Sequence, residues 1–270
     1  MFLRVFRSGR AVSVSAAALA AVLVPAMAAA QAAPAAAAPA PKADASLPPA
    51  RQIIDRFVKA IGGRDAVLSH KSMHVTGKYE VPASGLSGDM EIFTAANPNR
   101  AFQRVTIPGV GEVVQGFDGQ RGWSINPMTG PMLQQGKELD QAKLDADFYN
   151  ELRDPRDYKS ITTVEKTTFE GRPCYKISLI RADGSQDFDY YDAETGLRAG
   201  TVQTRDSPMG TVTSTNIESG YKKFGNVMQA TSLVAKAMGI EQKITVASVE
   251  YDNVPSTAFD LPASIQALIK

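Results

Sequence analysis

The sequence predicts a mainly β protein of α+β type, in which a single antiparallel sheet is covered by one or two helices. Three observations predict this fold class. Outside two segments, apolar and polar residues alternate with a period of two. Short turns that contain Gly separate the alternating runs. Hairpins that follow one another with few intervening helices indicate an antiparallel meander.

Helical periodicity is confined to two segments. In LPPARQIIDRFVKAIGG, residues 47–63, the apolar residues fall on one face, prolines stand at the start and two glycines at the end. In KELDQAKLDADFYNEL, residues 137–152, Leu144, Phe148 and Leu152 repeat at four-residue spacing without Gly or Pro. These two segments are the predicted helices that cover the sheet.

The predicted hairpin tips lie in FDGQRGW, FEGRPCY, DAETGLR and AMGIE, each with a Gly where a hairpin needs positive φ. The third belongs to FDYYDAETGLRAG, whose acids and tyrosines raise the question of a metal or acid/base site. Alternation places Asp189 on the strand face opposite Phe188 and Tyr190. Asp192 and Glu194 fall in the bend. Because the acids do not converge, a turn is the favoured interpretation.

Composition is that of a globular protein: 270 residues, 44% hydrophobic, 21% charged, with a formal net charge of +1. The absence of a basic excess argues against a nucleic-acid partner. The single cysteine, Cys174, cannot form an intramolecular disulfide. It is interpreted as a strand residue rather than a nucleophile, because no His lies within local reach.

The N-terminal region predicts export. Arg4, Arg7 and Arg10 precede an apolar stretch of small residues, which indicates a Sec signal peptide at 1–30. An uncleaved membrane anchor is the alternative. No cysteine stands there for lipid attachment, so a periplasmic protein is expected. A Pro/Ala-rich disordered linker at 31–46 and a folded domain at 47–270 follow.

Sequence motifs for catalysis or metal binding are weak. His70 and His74 have the spacing of two helix-borne ligands, but the segment changes there from helix to strand, and Lys71 stands where metalloprotease motifs have an acid. The chain has no GxSxG, HExxH or P-loop motif, and GVGEVVQG departs from a nucleotide fingerprint. No cofactor, no metal and no enzymatic activity are therefore expected.

The order of the motifs resembles a known family. An amphipathic helix precedes GDMEIFTAANPNRAFQRV, QGFDGQRGWSINPMTGPMLQQ, a helix, YYDAETGLRAG and VEYDNVPSTAFDLP. Over residues 47–262, this order is similar to that of LolA/LolB-type lipoprotein carriers, and more closely to that of exported outer membrane lipoprotein-sorting proteins. The resemblance implies an incomplete barrel of about eleven curved antiparallel strands, with helices as a lid over its concave face.

The resemblance also implies a function. Such proteins hold acyl chains of lipids or lipoproteins between sheet and lid, and carry them across the periplasm toward the outer membrane. Expected partners are these chains and transport proteins of the inner and outer membranes, with the carrier as a monomer. Burial of a sixteen-carbon chain contributes on the order of 12 kcal/mol. The alternative is a periplasmic sensor or interaction module on the same fold that regulates a membrane protein.

Alternation within the predicted strands gives an expected lipid-contacting wall. Its members are apolar or aromatic residues at alternating positions: Met90, Ile92, Phe102, Phe117, Trp123, Ile125, Ile177, Leu179, Phe188 and Tyr190. Trp123 is expected to face the concave hollow, because no predicted helix covers the convex face.

One position departs from the family pattern. The carriers have an arginine just before a Pro-Asn pair that holds the lid closed, whereas this chain has Ala96 and Asn97 there. Its nearest arginines are Arg100 and Arg104. How a lid would be held therefore stays open.

Overall fold

The computed structural model describes residues 46–207 and 210–269, which form fifteen strands. In chain order the strands are β1 (Ser72–Val81), β2 (Leu86–Ala95), β3 (Arg100–Ile107), β4 (Gly111–Phe117), β5 (Gly122–Asn126), β6 (Gly130–Leu133), β7 (Tyr158–Phe169), β8 (Arg172–Arg181), β9 (Gln186–Asp192), β10 (Arg198–Ser207), β11 (Gly210–Ser219), β12 (Lys222–Phe224), β13 (Val227–Gln229), β14 (Ser232–Ala237) and β15 (Ile240–Tyr251). The helices are α1 (Ala50–Ala60), α2 (Arg64–Ser69), α3 (Gly136–Asp145) and α4 (Ala263–Gln266).

Thirteen strands form one antiparallel sheet in the order β6, β5, β4, β3, β2, β1, β15, β14, β11, β10, β9, β8, β7. The end strands β6 and β7 do not pair with each other, so the sheet is open, and β12 and β13 form a separate hairpin. The mainly β, half-barrel class predicted from the sequence is confirmed. The strand count exceeds the expected eleven or so, because short segments such as the four-residue β6 also pair into the sheet.

Helix α1 forms where the sequence predicts it. Pro49 precedes its first residue, and Gly62 and Gly63, at φ 127° and 90°, end it. Its apolar face is buried against the sheet, with Ile54 at 0% and Phe57 at 1% exposure. The sheet face covered by α1 is called the inner face below, and the opposite one the outer face.

The second predicted helix is shorter than expected. Helix α3 ends at Asp145, so Phe148 and Leu152 lie beyond it, in a segment of turns at 146–157. The Asp147 carboxylate accepts a hydrogen bond from the Tyr149 backbone N–H at 3.1 Å. Such a local bond competes with the helical pattern and ends it. Both apolar residues are nevertheless buried in the main core, which explains their periodic spacing.

Apolar clusters lie on both faces of the sheet. The largest joins α1, the 146–157 segment and the inner face. An outer cluster contains Phe102, Val114 and Trp123, and the C-terminal residues Phe259 and Ile265 close it. A third packs Phe169, Cys174 and Ala199 together. The sheet is therefore covered on both faces.

The predicted signal peptide at 1–30 and all but the last residue of the predicted linker at 31–46 lie outside the described residues. Within the part of the chain that the structure describes, no helix is long and apolar enough to cross a membrane.

Candidate functional site

Strand register places five of the ten predicted wall residues on the inner face. Met90 pairs with Val105, and both belong to the α1 core. Phe117 of β4 also lies on this face, because its partner in β3 is an even number of residues from Val105. The five inner residues are Met90, Ile92, Phe117, Ile177 and Leu179, and they are buried.

The other wall residues of the first half, Phe102, Trp123 and Ile125, lie on the outer face. Phe102 pairs with Gly116, which pairs with Trp123, and the two rings lie 6.1 Å apart. The expectation that Trp123 faces the lid is wrong. Its premise fails because the C-terminal segment covers the outer face and reduces the exposure of Trp123 to 1%.

Phe188 and Tyr190 also lie on the outer face. Tyr190 stacks on Phe169 at 4.1 Å, and the Lys176 ammonium lies 4.5 Å from the Phe188 ring. Alternation correctly separated these aromatic residues from Asp189, but the aromatic side does not face inward. The inner side of β9 carries acids instead, because arginines are present there to compensate their charge.

Asp189 forms the centre of a buried ion pair that sequence reasoning missed. Its carboxylate accepts from Arg153 Nε at 2.7 Å and from the Tyr191 hydroxyl at 2.9 Å. Burial alone would raise the pKa of Asp189, but the charges of Arg153 and Arg198 outweigh it and hold the pKa below its ordinary value. Asp189 lies on the face of β9 opposite Phe188, as alternation predicts, but its charge is used in this ion pair, which the sequence did not indicate.

Turn chemistry does explain the other acid of the segment. The Asp192 carboxylate accepts from the backbone N–H groups of Glu194 and Thr195 at 2.9 and 2.8 Å. Helix α1 holds the same turn, since Arg56 donates to the carbonyl oxygen of Ala193 at 2.8 Å. The predicted turn is confirmed here.

A second buried network surrounds Arg198 in β10. Its guanidinium donates to Glu151 at 2.6 Å and lies 2.9 Å from a Glu218 oxygen. Tyr221 donates to the other oxygen of Glu218 at 2.8 Å. Burial raises the pKa of Glu218, although Arg198 opposes the shift. Because Glu151 lies in the 146–157 segment, this network attaches the segment to the sheet.

A third group of charges lies at the C-terminal end of α3. Arg205 donates to Asp187 at 2.8 Å, and Arg181 lies 3.6 Å from the same carboxylate. Asp145 is half-buried, and partial removal of its carboxylate from water raises its pKa to about 6, against the opposing hydrogen bond from Gln141 and the charges of Arg205 and Arg181. The end of α3 is thus placed beside a charged part of the inner face.

Arg100 and Arg104, the arginines nearest the family position, lie on the outer face, opposite the segments that cover the inner face. Arg100 lies over the outer Phe259 ring at 4.4 Å, and Arg104 lies 3.6 Å from Glu91. Ion pairs that join the 146–157 segment to the sheet are formed instead by Arg153 with Asp189 and by Arg198 with Glu151. The sequence offers one signal for them, the charged run NELRDPR directly after a helical segment.

The two histidines do not share a site. His74 contacts Glu91 at 3.0 Å, whereas His70 lies between Asp252 and Asn226 at 2.7 and 2.6 Å. Within residues 46–207 and 210–269, no group of three or more His, Cys, Asp or Glu side chains is arranged to hold a metal ion.

Cys174 is a fully buried free thiol in β8. Burial raises the pKa of this thiol above its ordinary value. Its position is that of a packed strand residue beside Phe169 and Ala199, as the sequence interpretation has it.

Two open spaces border α1. A cavity of about 10 Å³ lies beside Arg198, Phe57 and Leu233. A groove of about 410 Å³ runs along the other side of the helix, beside Arg56 and Tyr175.

Helix α3 is attached differently from α1. It lies against β4 and β5, where a Cβ atom at Gly122 would be 3.2 Å from the Ala142 methyl. None of its ten residues is buried. Its apolar residues Leu139, Ala142 and Leu144 are only half-buried, so it is held to β4 and β5 less firmly than α1 is held to the sheet.

No protein-family model matches the chain, and no curated protein matches it either. Solved structures do. A DUF1329 family protein from Desulfovibrio piger is 13% identical, with a TM-score of 0.53, over 78% of this chain and 97% of its own. A LolA superfamily protein from Nitrosomonas europaea is 12% identical, with a TM-score of 0.52, over 80% and 99%.

An outer membrane lipoprotein-sorting protein domain from Vibrio parahaemolyticus is 11% identical, over 78% of this chain and 95% of its own, with a TM-score of 0.44. The first two matches carry the structural conclusion. The chain has the fold of a LolA superfamily protein, as the order of its motifs predicts.

Proposed function

We propose that this protein is an exported, non-enzymatic carrier that binds the acyl chain of a lipid or lipoprotein against the inner face and moves it through the periplasm. The observation that carries the proposal is the attachment of α3, which covers an apolar part of the sheet while burying none of its own residues. Such a helix can leave the sheet without exposing a large apolar surface of its own.

The inner face of β2, β3 and β4 carries apolar side chains that suit an acyl chain. Met90 pairs with Val105, and Val105 pairs with Val113, which forms an apolar row across the three strands. Phe117 lies four residues further along β4, where α3 packs. Methionine in such a row adapts to chains of different shape, which a carrier that must also release its cargo requires. Each methylene buried there contributes about 0.8 kcal/mol.

The rest of the cover stays in place while α3 moves. Phe148 and Leu152 are 1% and 2% exposed, and the Arg153 and Arg198 networks hold the same segment to the sheet. Movement is therefore proposed between Gln135 and Ala146, the residues that flank α3. The arginines act as an anchor for the lid, in place of the residue missing at Ala96 and Asn97.

The shared fold with a LolA superfamily protein supports this proposal, as does the predicted signal peptide at 1–30. Export would place the carrier between the two membranes whose transport proteins load and unload it. Of the ten predicted wall residues, the five on the inner face are the proposed lipid contacts, and the five on the outer face are not.

The test is lipid extraction and native mass spectrometry of the protein purified from the periplasm. Acyl lipid bound in stoichiometric amount supports carriage. A protein partner in stoichiometric amount, without lipid, would instead favour the sensor or interaction module.

A matched pair of variants tests which face of the sheet binds the acyl chain. Phe117 and Phe102 are 5% and 7% exposed, on the inner and outer faces respectively. Phe117→Leu should weaken binding of a fluorescent fatty acid, whereas Phe102→Leu should leave the affinity of the folded protein unchanged. Equal effects of the two substitutions would contradict an inner-face site.

A further inference from the structure

Among the described residues, five uncharged polar side chains that are buried on the inner face have an atom without a hydrogen-bond partner: Tyr79, Thr94, Gln103, Asn216 and Gln242. The three most deeply buried of them lie on β1, β11 and β15. Tyr79, Asn216 and Gln242 are 0%, 1% and 4% exposed. In each, one polar atom has no partner among residues 46–207 and 210–269: the Tyr79 hydroxyl, Asn216 Oδ1 and Gln242 Oε1. Each such atom costs about 1–3 kcal/mol when it is buried unpaired. Bonds from these atoms to a ligand would remove that cost.

Strand register brings the three together. Asn216 pairs with Ala235, and Ala235 pairs with Gln242, so a single methyl group separates the two amides. Neighbouring strands are about 4.8 Å apart, which places the amides about 10 Å from each other. Tyr79 pairs with Ile244, two residues from Gln242 on the same face. We call Tyr79, Asn216 and Gln242, with Ala235 between the amides, the polar floor.

The charges beside the polar floor are already compensated. Asp189 is paired with Arg153, Asp187 with Arg205, and Glu218 with Arg198. Thr201 accepts from Asn216 Nδ2 at 3.2 Å, and exchange of the two amide atoms of Asn216 would still leave one of them free. Burial raises the pKa of Tyr79 to about 12, so its hydroxyl keeps its proton. The floor therefore offers neutral donors and acceptors.

An apolar row adjoins the polar floor. Gly77, two residues before Tyr79 in β1, pairs with Met90 of β2, and Met90 pairs with Val105. An elongated ligand on the inner face would thus contact polar groups at one end and aliphatic groups at the other. This is the arrangement expected for an amphiphile with one chain.

We propose that the polar floor binds the uncharged, hydroxyl-bearing head group of a single-chain amphiphile, such as a glycerol monoester, whose chain lies on the Met90 row. The proposal rests on the carrier function proposed above. The two free amide atoms and the Tyr79 hydroxyl would form hydrogen bonds with hydroxyl groups of the ligand. The small side chain of Ala235 leaves space between the two amides for these hydroxyls.

The experiment compares three probes of one chain length, 1-monopalmitoylglycerol, methyl palmitate and palmitate, by equilibrium binding to the mature protein. The wild type should bind the glycerol ester about tenfold more tightly than the methyl ester, the effect of one or two hydrogen bonds. Tyr79→Phe and Gln242→Met should each reduce this ratio by about threefold and leave the affinity for methyl palmitate unchanged.

Gln229→Met provides the control. Gln229 is also buried, at 8% exposure, but its amide donates to Tyr251 at 2.8 Å outside the polar floor. Its substitution should leave the ratio between the esters unchanged. Far-ultraviolet circular dichroism establishes that each variant is folded before binding is measured.

The outcomes separate the two proposals. If no probe binds to the wild type, the carrier function fails, and this inference fails with it. Equal binding of the two esters, or a ratio that both floor variants leave intact, overturns the head-group site while carriage stands. Preference for palmitate over both esters would overturn the uncharged class of ligand.

Discussion

Arg153 and Asp189 form an ion pair whose side chains are 5% and 1% exposed, with Arg153 Nε 2.7 Å from Asp189 Oδ2 and Nη2 3.2 Å from Oδ1. The two residues come from the segment that follows α3 and from β9. Their geometry joins the cover to the sheet through two parallel hydrogen bonds, the strongest arrangement available to an arginine and a carboxylate.

Replacement of Asp189 with Asn should reduce the free energy of unfolding by about 3–5 kcal/mol, because it leaves a buried arginine unpaired. Asp192→Asn is the matched control from the same segment. Its side-chain oxygen still accepts the two turn hydrogen bonds, so the change should stay below about 1 kcal/mol. Urea denaturation measures both, and equal losses would show that the ion pair does not stabilise the fold.

Replacement of Glu151 with Gln should loosen the segment at 146–157. Arg198 would then retain only Glu218 as a charged partner, and the bond that reaches the segment would weaken. Hydrogen exchange should show faster exchange of the amides of this segment, with α1 much less affected. Glu194→Gln, at an exposed turn, serves as the control and should leave exchange in the segment unchanged.

The pH dependence of the lid should follow Asp145. Its pKa in the folded protein, about 6, lies above the ordinary value of 3.8, so the folded state binds the proton more tightly than the unfolded state. Stability contributed by this group should therefore fall as pH rises from about 4 to about 6. The protection factors of the α3 amides, in which the intrinsic pH dependence of exchange is divided out, should be larger at pH 5 than at pH 7. Asp145→Asn should remove that difference, and a difference that survives the substitution assigns it to another group.

The tryptophan should emit as a buried indole. Trp123 is 1% exposed in the outer cluster, away from the inner face. Its emission should be blue-shifted, and brominated acyl chains that bind should quench it little compared with a Trp introduced at Phe117. Strong quenching of Trp123 by a bound brominated chain would place the lipid on the outer face.

The thiol should be inert in the folded protein. Cys174 is 0% exposed, and burial raises its pKa, so both access and thiolate formation are suppressed. Ellman's reagent should react fully only after denaturation. Rapid reaction of the native protein would mean that the outer side of β8 opens readily.

Periodicity was sufficient to predict the fold class and α1, since both depend on local patterns of apolar residues. The same alternation separated Phe188 from Asp189 correctly, but it carries no information on which face turns inward. That choice depends on residues far away in sequence: Arg153 compensates Asp189, and Phe259 covers Trp123. The cover therefore could not be placed from local patterns, although the resemblance to carriers correctly indicated an open sheet with a helical lid.

Within the part of the chain that the structure describes, β6 and β7 each have no partner on one side, and such strands invite addition of a strand from another molecule. Strand β6 has only four residues and contains Pro131, which lacks the N–H that a ladder needs. Strand β7 has twelve, but its register shifts twice, and Glu165 and Lys166 are exposed along it. Both free strands are thus poor templates for the addition of a strand from another molecule.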